Sequence, residues 1–136
     1  MLLMRHPDDF GGGLWGFPGG SIDEGEEAAD TARREVMEET GIELEELREA
    51  GMHEVHMPHG SVYLRSFTAE VPGTPEVVLR PDEHIDYRWF DLTEVPGANV
   101  VWGIPTILYD LGFISDLGQD VTLSDGSTAS LIRRDT

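Results

Sequence analysis

Glu35, Glu38 and Glu39 stand at i, i+3 and i+4, and on a helix that spacing crowds three carboxylates onto one face. Like charges so placed repel one another and weaken an isolated helix. Three convergent oxygen donors suit Mg²⁺ or Mn²⁺, and magnesium commonly keeps several waters and bridges to substrate phosphates. The chemistry indicated is phosphate chemistry, with a solvated acidic face as the plain alternative.

The element that must carry these carboxylates is a helix expected from about Gly25 to Thr40. Ala28, Ala29, Ala32, Arg33, Met37 and the glutamates are good helix formers, with no proline until well beyond Gly41. Asp23 with Glu26 three residues later offers a capping-box-like start, and Gly41 can take the left-handed conformation that ends a helix. Ala29, Ala32 or Arg33, Val36 and Thr40 form a narrow stripe of small residues on the side away from the carboxylates. That side is expected to pack on a sheet, leaving the acidic side for a cation.

The wider stretch fits a longer pattern, G-x5-E-x7-R-E-U-x-E-E-x-G-U with U aliphatic, matched at Gly20, Glu26, Arg34, Glu35, Val36, Glu38, Glu39, Gly41 and Ile42. This resembles the Nudix box of the Nudix hydrolases, and so many specified positions make a chance match very improbable. The flanks agree: Leu2-Leu3-Met4-Arg5 ahead of Trp15-Gly16-Phe17-Pro18-Gly19-Gly20 is similar to the family's strand, loop and Pro-Gly-Gly entry, and Tyr87-Arg88-Trp89-Phe90 to its late strand. The resemblance implies an α/β fold, an α/β/α sandwich with a mixed sheet. Compared with the family, it would be shortened at the N-terminus and carry an extra C-terminal hairpin. The division expected is a domain over residues 1–117 and a hairpin tail over residues 118–136, packed on the domain or on a partner subunit.

Composition narrows the alternatives. The chain of 136 residues fits one domain with a sizeable core. It has no cysteine, which removes disulfides, thiolate metal sites and thiol nucleophiles. No apolar run reaches membrane-spanning length and no signal peptide opens the chain, so a soluble cytoplasmic protein with no membrane partner is expected. There are 27 acidic residues against 9 basic ones, all of them Arg, giving a net charge of −18. Such a surface opposes binding to a nucleic-acid backbone, which needs Lys and Arg to displace counterions. An acidic, lysine-free surface also fits a high-salt interior, where salt screens its self-repulsion.

The remaining chain supplies secondary candidates. Residues 7–13 form a Gly-rich loop, after which Trp15 and Phe17 alternate on a short extended stretch as core residues or as surfaces for base stacking. His53, His56 and His59 do not make a metal triad, because residues three apart on a strand face opposite ways and Pro58 bars a helix. They are expected to face solvent or to make hydrogen bonds. Strands are expected over Ala50 to Met57 and Ser61 to Val71, with Glu76 to Arg80 as a further candidate. Arg65 or Arg80 could meet a phosphate, or each could pair with one of the many acids. A helix is expected from Trp102 to Ile114, and a hairpin around Asp125-Gly126.

The resemblance implies roles residue by residue. Glu35, Glu38 and Glu39 would hold divalent Mg²⁺ or Mn²⁺, with the Gly20 carbonyl and Glu26 as further members of the metal set. Arg34 would orient a box carboxylate. The general base would be Glu38 or Glu39, then Glu83, with Asp82 and His84 behind it. Selectivity would lie around Trp15, Tyr63 and Arg65. The implied reaction is hydrolysis of the pyrophosphate bond in a nucleoside diphosphate linked to another group X. The placement of Pro58 favours ADP-ribose or a sugar nucleotide over a nucleoside triphosphate. A non-catalytic nucleotide sensor of the same fold is the alternative, although such domains commonly lose box carboxylates and none is missing here. A small-molecule nucleotide partner is expected, and a homodimer is among the expected assemblies because many relatives are dimers.

Overall fold

Leu2 and Leu3 are both fully buried on adjacent positions of one strand, which requires cover on both faces, because successive side chains of a strand point opposite ways. The computed structural model describes residues 1–9, 12–57, 60–92, 99–101, 103–113, 121–122 and 128–129. In it β1 (Leu2–Arg5) is the middle strand of a three-stranded antiparallel sheet, between β2 (Trp15–Gly16) and β5 (His84–Arg88). A parallel bridge from Trp15 to Val100 gives the sheet its mixed character.

One face of β1 is covered by α2 (Ile104–Asp110): Leu2 packs with Val100, Ile104 and Leu108, and Trp15, Phe90 and Val101 close around them. The other face carries Leu3 and Arg5, and Arg5 lines a cleft with Glu39 of α1 (Ala28–Thr40). A long antiparallel ladder, β3 (Arg48–Met57) with β4 (Gly60–Thr68), runs beside this sheet. β4 packs on α1, and His53 of β3 meets Asp110 at the end of α2, so the ladder lies between the two helices. The α/β/α sandwich is therefore present. Two short strands, β6 (Val121–Thr122) and β7 (Thr128–Ala129), pair antiparallel with Val121 opposite Ala129, a register centred on residue 125.

Several boundaries differ from expectation for local reasons. α1 begins three residues late because Gly25 sits at φ +79°, outside helical space, and Glu27 is its N-cap with no side-chain bond. The Asp23–Glu26 pair forms instead as a turn ahead of the helix, with Glu26 accepting from the Asp23 N–H. Gly41 ends α1 as expected, at φ +75° with its N–H on the Met37 carbonyl. Residues 76–80 are extended but join no sheet; the Val78 N–H caps the Thr40 carbonyl at 2.8 Å, so this segment satisfies the helix end. α2 is shorter than the span from Trp102 to Ile114, with Pro105 in its first turn, where the missing N–H costs nothing. Pro58 and His59 lie outside the described residues. No helix among the described residues is long and apolar enough to cross a membrane.

Candidate active site and metal centre

α1 does not separate a buried side from an acidic side. Its buried residues are Ala28, Thr31, Glu39 and Thr40, and Glu39 is only 6% exposed. The carboxylate at the end of the acidic run is thus carried under the sheet. Its Oε2 accepts the Gly19 backbone N–H at 2.8 Å, which ties the Pro-Gly-Gly turn to the helix. Burial, with the Glu35 and Glu83 charges adding to it, pushes the Glu39 carboxyl up to about 7; the Gly19 bond and the Arg5 charge act the other way.

Glu35, Glu38 and Glu26 are gathered by one side chain. The Arg34 guanidinium donates to Glu26 at 2.9 and 3.0 Å, to Glu35 at 3.0 Å and to Glu38 at 3.3 and 3.5 Å, and pairs with Asp23 at 3.3 Å. The Arg34 bonds and the Thr31 hydroxyl hold the Glu26 carboxyl down at about 2, while the Glu26, Asp23 and Glu35 carboxylates raise Arg34. Gly20 lies directly beneath Glu35: a Cβ there would fall 2.5 Å from that carboxyl group. A side chain at this position would therefore have to push the Glu35 carboxylate aside.

Opposite Glu39, β5 completes the wall. Met4 pairs with Asp86 but Arg5 pairs with His84, so Ile85 is an extra residue bulged out of the β1–β5 ladder. The bulge re-aims His84 inward, where it is 8% exposed while Ile85 is 48% exposed. The ladder direction continues through the His6 N–H to the Glu83 carbonyl at 2.9 Å. Among the described residues, Glu39, Glu83 and His84 offer ligand atoms that all lie within 4.8 Å of one another. They line a cleft of about 280 Å³ together with Arg5, Asp9, Phe17 and Gly19.

The expected site residues therefore divide. Glu39 and Glu83 meet across the cleft, and Glu26, Glu35 and Glu38 are joined through Arg34. Of the two readings expected for Trp15, the core one holds and base stacking does not: it packs on the Leu2 cluster and stands edge-on to Phe90 at 5.2 Å. Arg65 is ion-paired with Glu49 on the β3–β4 ladder, and Tyr63 is 66% exposed on the same ladder. Neither is among the residues that line the cleft. Arg5 and Asp9 were missed, and Phe17 and His84 stood only as secondary candidates. The signal for His84 is the bulge, which depends on a strand register that no short motif encodes. His53 is not solvent-facing: its Nδ1 is 3.6 Å from Asp110, and its side chain is 9% exposed.

The donor set fits a divalent cation. Glu39 is nearly buried beside the Glu35 and Glu83 charges, with Arg5 opposing them in the cleft, and a divalent cation would add further counter-charge.

Known proteins resemble this chain in sequence and fold. The family model described as NUDIX domain matches residues 1–110. The chain is 33% identical over 121 residues to the NAD-capped RNA hydrolase NudC of Pseudomonas putida, covering 89% of this chain and 42% of that protein. It is 36% identical over 104 residues to the oxidized purine nucleoside triphosphate hydrolase of Mus musculus, covering 74% and 64%. Among solved structures, the MutT protein of Methanosarcina mazei Go1 superposes with a TM-score of 0.67 at 29% identity, over 81% of this chain and 77% of that one. The chain thus spans about two fifths of the length of the Pseudomonas relative.

Proposed function

The chain belongs to the NUDIX domain family, and from that premise we propose that it hydrolyses a pyrophosphate bond in a nucleoside diphosphate linked to a further group X, with Mg²⁺ or Mn²⁺. The observation that carries the reading is the buried Glu39 facing Glu83 across the cleft, beside a box whose other carboxylates are held in place by Arg34. A divalent cation bound here neutralises charge developing on the phosphate oxygens and makes the attacking water more acidic.

The chain's own groups do the rest. Glu39, Glu83 and Glu35 would hold the cation. Arg34 keeps the box carboxylates from swinging apart. Arg5 is the cation among the cleft-lining residues and faces the substrate phosphates, which guanidinium groups recognise well. Phe17, 38% exposed at the cleft, takes over from Trp15 as the stacking surface for a base. The water proton goes to Glu38, which has the longest bonds to Arg34 and the most exposed side chain of the box carboxylates, at 38%. From there it can pass to solvent.

The substrate class proposed is a dinucleotide or sugar nucleotide of the ADP-ribose type. An NAD cap, named for the Pseudomonas relative, contains the same pyrophosphate unit, whereas the net charge of −18 disfavours a long RNA chain. A panel of ADP-ribose, NAD, sugar nucleotides, nucleoside triphosphates and NAD-capped RNA, incubated with Mg²⁺ or Mn²⁺ and read by mass, tests this. Release of a nucleoside monophosphate from ADP-ribose or NAD is expected. Preferential release of pyrophosphate from a triphosphate would reassign the substrate. Binding of ADP-ribose with no turnover on any compound would support the sensor reading.

A further inference from the structure

His84 is not part of the box, yet it stands beside two of the carboxylates that the metal-dependent reading uses. It is 8% exposed, and its Nδ1 is fully buried with no hydrogen-bond partner among the described residues. A buried polar atom left without a partner is uncommon and calls for an explanation such as an ion. One of its ring nitrogens lies within 4.8 Å of carboxylate oxygens of both Glu39 and Glu83. Nitrogen and oxygen ligands sit about 2.0 to 2.2 Å from first-row divalent ions, so two ligands on opposite sides of one ion stand about 4.0 to 4.4 Å apart. Only one pair of three ligands can stand opposite, so the three side chains must draw together from their spacing of up to 4.8 Å to bind one ion.

We propose that Glu39, Glu83 and His84 form a mixed nitrogen–oxygen site that takes a first-row transition cation, such as Mn²⁺, in preference to Mg²⁺. The inference rests on the metal-dependent reading and deepens it by adding a ligand and a metal preference. The physical reason for the preference is the imidazole: carboxylate, carbonyl and water ligands suit magnesium, while nitrogen donors favour transition metals. The bulge at Ile85 serves this arrangement, since an unbroken ladder would place Ile85 opposite Arg5.

The test is Mn²⁺ binding to nucleotide-free protein, followed by electron paramagnetic resonance, with Mg²⁺ measured by competition. The wild type is expected to bind Mn²⁺ more tightly than Mg²⁺ and to show nitrogen modulation of the Mn²⁺ signal in pulsed spectra. In His84→Gln the modulation disappears and Mn²⁺ affinity falls at least tenfold, while Mg²⁺ affinity changes less than twofold. Labelling the wild type with ¹⁵N-histidine should alter the modulation, which gives a reading even if the variant fails to fold. Equal Mn²⁺ affinity in a folded variant, or bound Mn²⁺ without nitrogen modulation in the wild type, would overturn the proposal. Hydrolysis measured on the same samples separates the two readings: turnover without nitrogen modulation removes only the His84 site, and modulation without turnover removes only the hydrolase.

Discussion

Glu38 and Glu39 are neighbours in sequence, but their environments differ and so does the work proposed for each. Glu39 is buried and bonded to Gly19, whereas Glu38 is open to solvent and held by Arg34. Glu38→Gln is expected to lower kcat about 100-fold or more, the usual contribution of a positioned proton acceptor, with metal affinity unchanged. Glu39→Gln should lower both, and calorimetric titration of Mn²⁺ alongside initial rates distinguishes the cases. The Glu39 carboxyl also sets a pH dependence. Its ordinary value of 4.5 is raised to about 7 in the folded chain, so between those values the folded state binds more protons than the unfolded one. In EDTA, the contribution of this carboxyl to stability is then full below about pH 4.5 and falls by about 3 kcal/mol as pH rises through 7. Urea unfolding at pH 5 and pH 8 checks this, and Glu39→Gln should flatten the difference. The box residues were legible because each is named by its spacing. The burial of Glu39 was not, because it depends on β1 and β5, which are distant in sequence.

The elements act through two glycines and a bulge. At Gly20 a side chain would collide with the Glu35 carboxyl, so Gly20→Ala is expected to displace that carboxylate and to reduce activity at least tenfold with little change in unfolding midpoint. Gly41 is different: its positive φ closes α1, and Gly41→Ala would force a left-handed conformation on a residue with a Cβ. A loss of about 1 kcal/mol in stability is expected, with kcat within about twofold of the wild type. Helix α1, the β3–β4 ladder and the core around α2 were all readable from pattern and capping signals. The late helix start, the missing strand at 76–80 and the bulge at Ile85 were not. Each is settled by a backbone partner or a φ value that only the folded chain supplies, as with Val78 on the Thr40 carbonyl.

For the whole molecule the controlling quantity is charge. A net −18 with no lysine repels itself in dilute buffer, and salt screens that repulsion within about 10 Å at 0.1 M and about 3 Å at 1 M. The thermal midpoint is therefore expected to rise with added KCl. A midpoint independent of salt would show that local ion pairs such as those of Arg34 balance the field. The same field keeps polyanions at a distance unless a cation bridges them, which makes the cleft with Arg5 and the proposed metal site the place where a phosphorylated substrate can approach. The most direct measurement of the central claim is single-turnover hydrolysis of ADP-ribose by the wild type and Glu39→Gln, with Mn²⁺ and with EDTA. Nucleoside monophosphate is expected only from the wild type with metal. Equal turnover in EDTA, or full turnover by a folded Glu39→Gln, would contradict it.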